Sequence, residues 1–253
     1  MPTTHRDIVF AEHPGFRPLA LDAHLPDAAS APVVIFLHGG GWRQGSRRTF
    51  WPGMSDAATF GRIVAAGWAV VSVDYRLSGE AVFPAQLDDV RAALDWVRTE
   101  GVRRFGLDAA RIVLWGESAG AHLAALVGLT DDGVRGVVDW YGPSDLRTLP
   151  QNIDELTREE SLLGGKVADL PDRALAASPV AHVHEGAPPF LIAHGDADRF
   201  VPVGQSIALA EALRGVGAEA TLQIVPDVDH IWRGLDDPDT VFDPALEFLR
   251  GVA

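Results

Sequence analysis

Cysteine is absent from the 253-residue sequence. Disulfide bonds, thiolate nucleophiles, cysteine-bound zinc and iron–sulfur clusters are therefore excluded. The sequence also has no run of about 20 apolar residues that could span a bilayer. Residues 1–7 show neither the basic start nor the apolar stretch of a secretion signal. We therefore expect a cytoplasmic protein that is not held at a membrane.

Basic residues are outnumbered by acidic ones, 21 to 35, which gives a formal net charge of -14 with histidine neutral. Such a charge repels nucleic-acid phosphates and anionic lipids, so we expect neither as a partner. With 47% hydrophobic and 22% charged residues, the composition is that of a globular protein. The length suits a single domain covering residues 1–253. We allow for a homodimer, since the sequence leaves the oligomeric state open.

Apolar, β-branched runs alternate with stretches of helical periodicity, a pattern typical of βαβ units around a mostly parallel sheet. Two earlier runs, one short and one partly alternating, predict an antiparallel hairpin at an edge of that sheet. The predicted fold class is α/β, with roughly eight strands flanked by helices. The predicted strands are 7–10, 18–25, 32–37, 68–73, 111–115, 136–140, 189–193 and 220–225, and the predicted helices are 57–66, 87–98, 119–129, 204–214 and 244–249.

The connection 142–188 is unusually long. It takes about 45 residues to join two predicted strands, whereas a helical crossover needs only about 10–12. We predict an insertion of short helices that covers one end of the sheet like a lid. The alternative is a surface elaboration remote from any site.

A serine lies at a predicted strand-to-helix turn. Ser118 is the centre of Gly-Glu-Ser-Ala-Gly at 116–120, between strand 111–115 and helix 119–129. Such a sharp turn exposes the hydroxyl, and the helix N-terminus offers N–H groups to an oxyanion. We predict that Ser118 is a nucleophile; the alternative is a tight structural turn.

A glycine-rich loop, His-Gly-Gly-Gly-Trp at 38–42, follows predicted strand 32–37. Consecutive glycines let the backbone approach a ligand with its N–H groups turned inward. Loops of this type supply part of the oxyanion hole in lipases and esterases. The alternatives are an anion-binding loop or a purely conformational one, and His38 is expected to hold the loop rather than act as a base.

A serine nucleophile needs an imidazole base, and the imidazole needs a carboxylate to hold one tautomer. His230 follows predicted strand 220–225 and is the last histidine in the chain. We predict that it is the base, against a capping or solvent-facing histidine. The acid should follow strand 189–193, where Asp196 and Asp198 compete and the residues alone do not separate them.

A metal site is the alternative use of these residues. It would combine the two aspartates with His194, or with the sequence His-Val-His-Glu at 182–185. No HExxH or similar ligand spacing occurs, so we predict no metal.

Taken together, the motifs resemble those of the α/β-hydrolase fold, and more narrowly those of bacterial esterases and lipases related to hormone-sensitive lipase and to feruloyl esterases. The resemblance covers most of the chain in the family's order. It implies a serine carboxylesterase that acts on a small-molecule ester without a cofactor. The matching motifs are HGGGW (38–42), DYRL (74–77), FPA (83–85), GESAG (116–120), YGPSDL (141–146), HGDADRFVP (194–202) and the pair 229–230.

The resemblance also implies roles for particular residues. The family's HGxxDxxVP pattern places the acid on Asp198 rather than Asp196. The N–H groups of Gly40, Gly41 and Ala119 would form the oxyanion hole. DYR and FPA look structural, so Asp74, Arg76 and Asp89 receive no catalytic role. About 30 residues precede strand 32–37, fewer than in relatives with an N-terminal cap, so any cover would come from 142–188 and 43–54.

Aromatic residues concentrate in loops at the expected active end. They predict an aromatic pocket for small acyl or aryl esters, with Trp42 and Trp232 as substrate-binding residues, or else plain packing. Three rivals share the motifs: an esterase for feruloyl or acetyl groups of plant polysaccharide, an arylformamidase, and a ligand-binding receptor on the same fold. The aromatic residues are Trp42, Phe50, Trp51, Trp140 and Trp232.

Overall fold

Eight strands pair into one sheet in the computed structural model, which describes residues 2–150 and 156–253. In chain order they are β1 (Thr3–Ala11), β2 (Leu19–Leu25), β3 (Val33–Leu37), β4 (Ala69–Val73), β5 (Ile112–Glu117), β6 (Val134–Trp140), β7 (Phe190–Gly195) and β8 (Ala220–Val225). Across the sheet the order is β1-β2-β4-β3-β5-β6-β7-β8. Strand β2 is antiparallel to both of its neighbours, and every other pairing is parallel. The predicted fold class and the predicted edge hairpin are confirmed.

Burial along the strands follows their place in the sheet. The central strands β3, β4 and β5 are buried at every position, which explains their continuous apolar sequences. Strand β1 lies at the edge and is mostly exposed. In the parallel part of the sheet, Leu37 pairs with Gly116 and Glu117 pairs with Trp140. The loops that follow β3, β5 and β6 therefore open side by side.

Helices cover both faces of the sheet. Residues of α2 (Ala85–Trp96), α4 (Ala119–Thr130) and α7 (Gly204–Gly215) belong to the apolar core on one face. Residues of α1 (Phe60–Ala65) and α8 (Asp239–Gly251) belong to the aromatic-rich core on the other. The helix α3 (Val102–Phe105) continues α2 through a π-helical turn, Val97–Gly101.

Two predicted helices differ in extent. The segment predicted as 57–66 breaks at Thr59, whose backbone angles (φ -121, ψ -91) separate a 3-10 turn, Asp56–Ala58, from α1. Helix α8 begins five residues before Pro244, the predicted start. Proline has no N–H for the carbonyl of Thr240, four residues earlier. The side chain of Gln223 donates to that carbonyl instead (Nε2 to O, 2.8 Å).

The long connection after β6 contains short helices, as expected from its length. They are α5 (Arg158–Leu163) and α6 (Pro171–Ala176), with 3-10 turns at Val167–Asp169 and Pro179–His182. A capping box starts α5: Thr157 Oγ1 accepts from the N–H of Glu160, and Glu160 Oε2 accepts from the N–H of Thr157. Residues 151–155 of the predicted insertion lie outside the described residues, and its role as a lid stays a prediction. None of the helices in the described ranges is long and apolar enough to cross a bilayer.

Candidate active site

The turn at Ser118 joins β5 to α4. Ser118 has a positive φ (53, with ψ -116), a strained conformation for a non-glycine residue. A Cβ on Gly116 would lie 2.3 Å from the backbone of Gly120, and a Cβ on Gly120 would lie 2.0 Å from the carbonyl oxygen of Leu37. Both flanking positions therefore accept only glycine, and the half-buried Ser118 lies at the end of the sheet.

Three predicted residues form one chain of hydrogen bonds. The Oγ of Ser118 lies 3.0 Å from Nε2 of His230. The Nδ1 of His230 lies 2.6 Å from Oδ2 of Asp198. Because a carboxylate only accepts, Nδ1 carries the proton, and Nε2 is free to accept from the hydroxyl. This is the arrangement that a serine nucleophile and its base require.

The carboxylate of Asp198 has no exposed surface on its side chain. Burial by itself would raise the pKa of Asp198, but hydrogen bonds from His194, His230 and the backbone outweigh burial and hold that pKa well below its usual range. Its Oδ1 accepts from the N–H groups of Phe200 and Val201, each at 2.8 Å. Asp198 is therefore ionised and fixed in orientation.

The neighbouring aspartate has a different position. Oδ1 of Asp196 accepts from the N–H of Asp227 at 2.7 Å. A second link joins the same two loops, because Nε of Arg199 donates to Oδ2 of Asp229 at 2.9 Å. Asp196 thus helps to hold the loop after β7 against the loop after β8, whereas Asp198 reaches the imidazole.

The glycine-rich loop lies beside the serine. A Cβ on Gly39 would be 3.6 Å from Cβ of Ser118. Gly40 and Gly41 have positive φ values of 120 and 61, and a Cβ on Gly40 would lie 2.0 Å from the carbonyl oxygen of Gln44. Ala119 is the first residue of α4, where N–H groups have no partner within the helix. The structure therefore brings the three predicted oxyanion donors to the end of the sheet where Ser118 lies.

His38 has a structural environment. Its Nδ1 lies 2.7 Å from the carbonyl oxygen of Gly39, and its ring stacks on Tyr75 with 4.4 Å between centroids. The hydroxyl of Tyr75 donates to the carbonyl oxygen of His38 at 2.8 Å. Burial lowers the pKa of His38, so the ring is neutral and supports the loop.

A cavity of about 450 Å³ opens over the serine. Trp42 and Phe50 lie in its wall, as predicted from the sequence. Trp232 is not one of the wall residues, and it packs edge-on against Tyr141 with 4.8 Å between centroids. Trp232 lies in the aromatic core, with positive φ at Ile231 and at Trp232 (57 and 56), and the substrate-binding role expected for it stays a prediction. Trp51 and Trp140 also lie in the aromatic core rather than in the wall.

A buried, hydrogen-bonded pair lies next to the serine. The hydroxyl of Tyr141 donates to Oε1 of Glu117 at 2.9 Å, and Glu117 lies in the cavity wall although it is only 3% exposed. Burial raises the pKa of Glu117 to about 8. The ring of Tyr141 meets that of His230 edge-on at 4.9 Å. Tyr141 has a positive φ (48) in this position between Glu117 and His230, and no sequence pattern predicts that position.

The insertion after β6 reaches the cavity through α5. Arg158 and Glu159 lie in the cavity wall, and the guanidinium of Arg158 covers the ring of Phe200 at 5.0 Å. Arg43, just after the glycine-rich loop, donates to the carbonyl oxygens of Leu156 and Thr157 at 3.0 and 2.9 Å. It also donates to Oγ of Ser161 at 2.5 Å. These hydrogen bonds from Arg43 hold the start of α5 beside the glycine-rich loop.

Two histidines considered for a metal site form hydrogen bonds to backbone carbonyl groups instead. Nε2 of His182 lies 2.8 Å from the carbonyl oxygen of Ala176, and Nε2 of His184 lies 3.2 Å from that of Leu129. Within residues 2–150 and 156–253, no three histidine, aspartate or glutamate side chains are grouped so that they could hold a metal ion.

Comparison with known proteins agrees with this architecture. Esterase LipQ of Mycobacterium tuberculosis is 38% identical over 81% of this chain and 52% of its own length, and esterase LipC of the same organism is 36% identical over 74% and 49%. The chain thus spans about half the length of these curated relatives.

Solved structures match over nearly the whole chain. A truncated carbohydrate esterase from gut microbiota has a TM-score of 0.86 and 28% identity, and the match covers 98% of this chain and 95% of that one. A bifunctional GH43-CE protein of Bacteroides eggerthii has a TM-score of 0.83 and 30% identity, over 99% and 38%. The sequence model of one family, BD-FAE, matches residues 21–213. That match extends from β2 into α7 and includes the glycine-rich loop, the serine turn and Asp198, and the chain accordingly belongs to the BD-FAE family.

Proposed function

We propose that the chain is a serine carboxylesterase that hydrolyses small acyl or aryl esters through an acyl-enzyme. The observation that carries this proposal is the hydrogen-bonded series Ser118–His230–Asp198, in which Oγ of Ser118 lies 3.0 Å from the unprotonated Nε2 of His230. The named esterases among its relatives support the reaction type.

In the proposed reaction, Oγ of Ser118 attacks the ester carbonyl carbon while Nε2 of His230 takes the hydroxyl proton. Asp198 keeps the proton on Nδ1 and stabilises the imidazolium by its charge. The tetrahedral intermediate collapses, and His230 gives the proton to the departing alkoxide. Water then attacks the acyl-enzyme with His230 again as the base, which releases the carboxylic acid and restores Ser118.

The oxyanion of the tetrahedral intermediate would be stabilised by the N–H groups of Gly40, Gly41 and Ala119. Preorganised donors of this kind supply a large part of the rate enhancement, since loss of one typically costs about 100- to 1,000-fold in kcat. The positive φ values of the two glycines and the position of Ala119 at the start of α4 support this role.

The cavity supports a small substrate. A volume of about 450 Å³ holds a short acyl chain or one aromatic ring. Trp42, Phe50 and Phe200 give it aromatic walls, which suit an aryl group.

A second candidate is an ester substituent carried by a carbohydrate, such as a feruloyl or acetyl group. The observation that favours it is the likeness to a protein described as a carbohydrate esterase, which extends over 98% of this chain.

Activity on p-nitrophenyl acetate by wild-type protein and by Ser118→Ala tests the mechanism. We expect the substitution to lower kcat by at least about 10,000-fold. Ser55→Ala, which removes only the hydroxyl that caps the 3-10 turn Asp56–Ala58, serves as the matched control. Undiminished hydrolysis by Ser118→Ala would refute the assignment.

A substrate panel tests the specificity. It contains p-nitrophenyl esters of increasing acyl length, methyl ferulate, acetylated xylan fragments and N-formylkynurenine. We expect the highest kcat/KM on short acyl or aryl esters. Preference for the xylan fragments would favour the carbohydrate candidate, and turnover of N-formylkynurenine alone would indicate an arylformamidase.

A further inference from the structure

A second histidine contacts the carboxylate of Asp198. His194, in β7, has no exposed side-chain surface, and its Nε2 lies 3.2 Å from Oδ2 of Asp198. The same oxygen accepts from Nδ1 of His230 at 2.6 Å. One carboxylate oxygen is therefore shared by two imidazole rings.

The partners of His194 determine its proton position. Nε2 also lies 2.9 Å from the carbonyl oxygen of Val201, which only accepts, so Nε2 carries a proton. Nδ1 lies 2.7 Å from Oγ of Ser206, a hydroxyl that can donate to it. The N–H at Nε2 is thus directed between Val201 and Asp198.

We infer that His194 is a positioning residue for the catalytic acid, and that its N–H limits how strongly Asp198 stabilises the imidazolium of His230. The inference rests on the proposed function. Oδ1 of Asp198 is held by two backbone N–H groups, and the N–H of His194 fixes Oδ2 at the distance from His230 that the base requires. Because a hydrogen bond withdraws charge from the carboxylate, His194 also reduces the negative charge that faces His230.

The predicted consequence is a change in pH dependence. With the N–H of residue 194 removed, Oδ2 presents more negative charge to Nδ1 of His230, and the imidazolium is stabilised further. The deprotonated base is then available only at higher pH, so the acid limb of kcat/KM moves upward.

Other ionisable groups lie near this cluster. Asp139 of β6 is within electrostatic reach of His194, and burial raises the pKa of Asp139 to about 6. Tyr141 is within reach of the charge of Asp198, and it joins Glu117 to the cluster. On the loop after β8, Asp229 accepts from the N–H of His230 and pairs with Arg199. Asp139→Asn therefore belongs in the experiment, since a pKa of about 6 for Asp139 lies within the pH range of the assay.

The test compares three single variants at residues 194 and 206, one double variant and Ser118→Ala with wild type on a neutral ester between pH 5 and 9. His194→Leu removes the donor; His194→Gln keeps an amide donor that reaches the position of Nε2; Ser206→Ala removes only the contact to the far nitrogen. We expect His194→Leu to raise the acid-limb midpoint by roughly 0.5 to 1 pH unit, to lower kcat by about tenfold and to leave KM unchanged. His194→Gln should restore most of the wild-type midpoint and most of the wild-type kcat, and Ser206→Ala should keep the wild-type midpoint.

The double variant separates the effect of His194 from the titration of Asp139. The upward shift of the midpoint should persist when Asp139→Asn is combined with His194→Leu.

A wild-type midpoint in His194→Leu would overturn the inference. Should His194→Leu fail to fold, ¹⁵N NMR of the wild-type imidazoles decides: a proton on Nε2 of His194 is required from pH 5 to 9, and a proton on Nδ1 alone contradicts the inference. Ser118→Ala in the same series separates the two claims. An inactive Ser118→Ala beside an unshifted His194→Leu refutes the inference alone, whereas an active Ser118→Ala refutes the proposed function.

Discussion

The hydroxyl of Tyr141 donates a 2.9 Å hydrogen bond to the buried carboxyl group of Glu117, the residue before Ser118. The bond joins the ends of two neighbouring strands, since Glu117 ends β5 and Tyr141 follows β6. The phenol ring of Tyr141 also meets the ring of His230 edge-on. The pair therefore supports the serine turn and the imidazole together, with an ionisable group buried between them.

Glu117 should make the stability of the protein depend on pH. Burial raises the pKa of Glu117 from 4.5 to about 8, so between these values the folded state binds more protons than the unfolded state. This contribution to stability is complete below about pH 4.5 and is lost as pH rises toward 8, with a slope of at most about 1.4 kcal/mol per pH unit. Glu117→Gln keeps an acceptor for Tyr141 but has no charge. Urea unfolding at pH 5, 6, 7 and 8 should show Glu117→Gln gaining stability relative to wild type as pH rises, and a constant difference would contradict the burial argument.

The two aspartates after β7 should behave differently. Asp198→Asn removes the carboxylate that holds the tautomer of His230, and we expect kcat to fall by about 1,000- to 10,000-fold. Asp196→Ala removes an acceptor for the N–H of Asp227, so kcat should stay within about threefold while the protein loses roughly 1 kcal/mol of stability. Steady-state kinetics and thermal unfolding of both variants check this. Equal losses of kcat would show that the hydrogen-bond pattern does not separate the two residues.

Gly40 should not tolerate a side chain. Gly40→Ala would place Cβ 2.0 Å from the carbonyl oxygen of Gln44 and displace the loop that carries two oxyanion donors. We expect kcat to fall by at least about 100-fold with a smaller change in KM. Gly67→Ala is the matched control, because Gly67 also has a positive φ (91), but among the described residues none besides its two chain neighbours would have an atom within 4 Å of a Cβ there. An equal fall in kcat in the two variants would show that backbone strain, and not the position of the glycine-rich loop, lowers the rate. An unchanged kcat in Gly40→Ala would contradict the role given to the loop.

Arg43 should control how firmly α5 is held beside the glycine-rich loop. Arg43→Met removes three hydrogen bonds to residues 156, 157 and 161, and this should loosen a wall of the cavity. We expect KM to rise by about three- to tenfold, faster amide exchange in residues 158–163, and a change in global stability below about 1 kcal/mol because the contacts are exposed. Arg147→Met, which breaks an exposed pair with Asp145, is the control. Unchanged exchange in α5 would contradict the role given to Arg43.

Much of the fold follows from local sequence patterns. The central strands are continuous apolar runs because both faces of the sheet are covered, and Ser118 is marked by glycines that no other residue could replace. The choice of His230 needed only chain order. These features depend on neighbours along the chain, which a sequence displays directly.

The remainder depends on contacts between distant segments. Asp196 and Asp198 both follow β7, and only the loop after β8 decides which one meets the imidazole. Trp232 lies in the aromatic core with positive φ at two adjacent residues, and the buried Glu117 is bonded to Tyr141, which follows the next strand. Helix α8 passes Pro244 because Gln223 supplies the missing donor to Thr240. Of these relations, only the choice of Asp198 leaves a motif signal, in the family's HGxxDxxVP pattern. The others leave no periodic or motif signal.

Covalent labelling with a fluorophosphonate tests the central claim most directly, because such a reagent reacts with a serine hydroxyl only when a base activates it. The predicted result, by peptide mass spectrometry, is one phosphonyl group on Ser118, loss of hydrolysis in proportion to labelling, and no labelling in His230→Ala. Complete loss of hydrolysis with the label on another residue, or full hydrolysis with Ser118 labelled, would contradict the account.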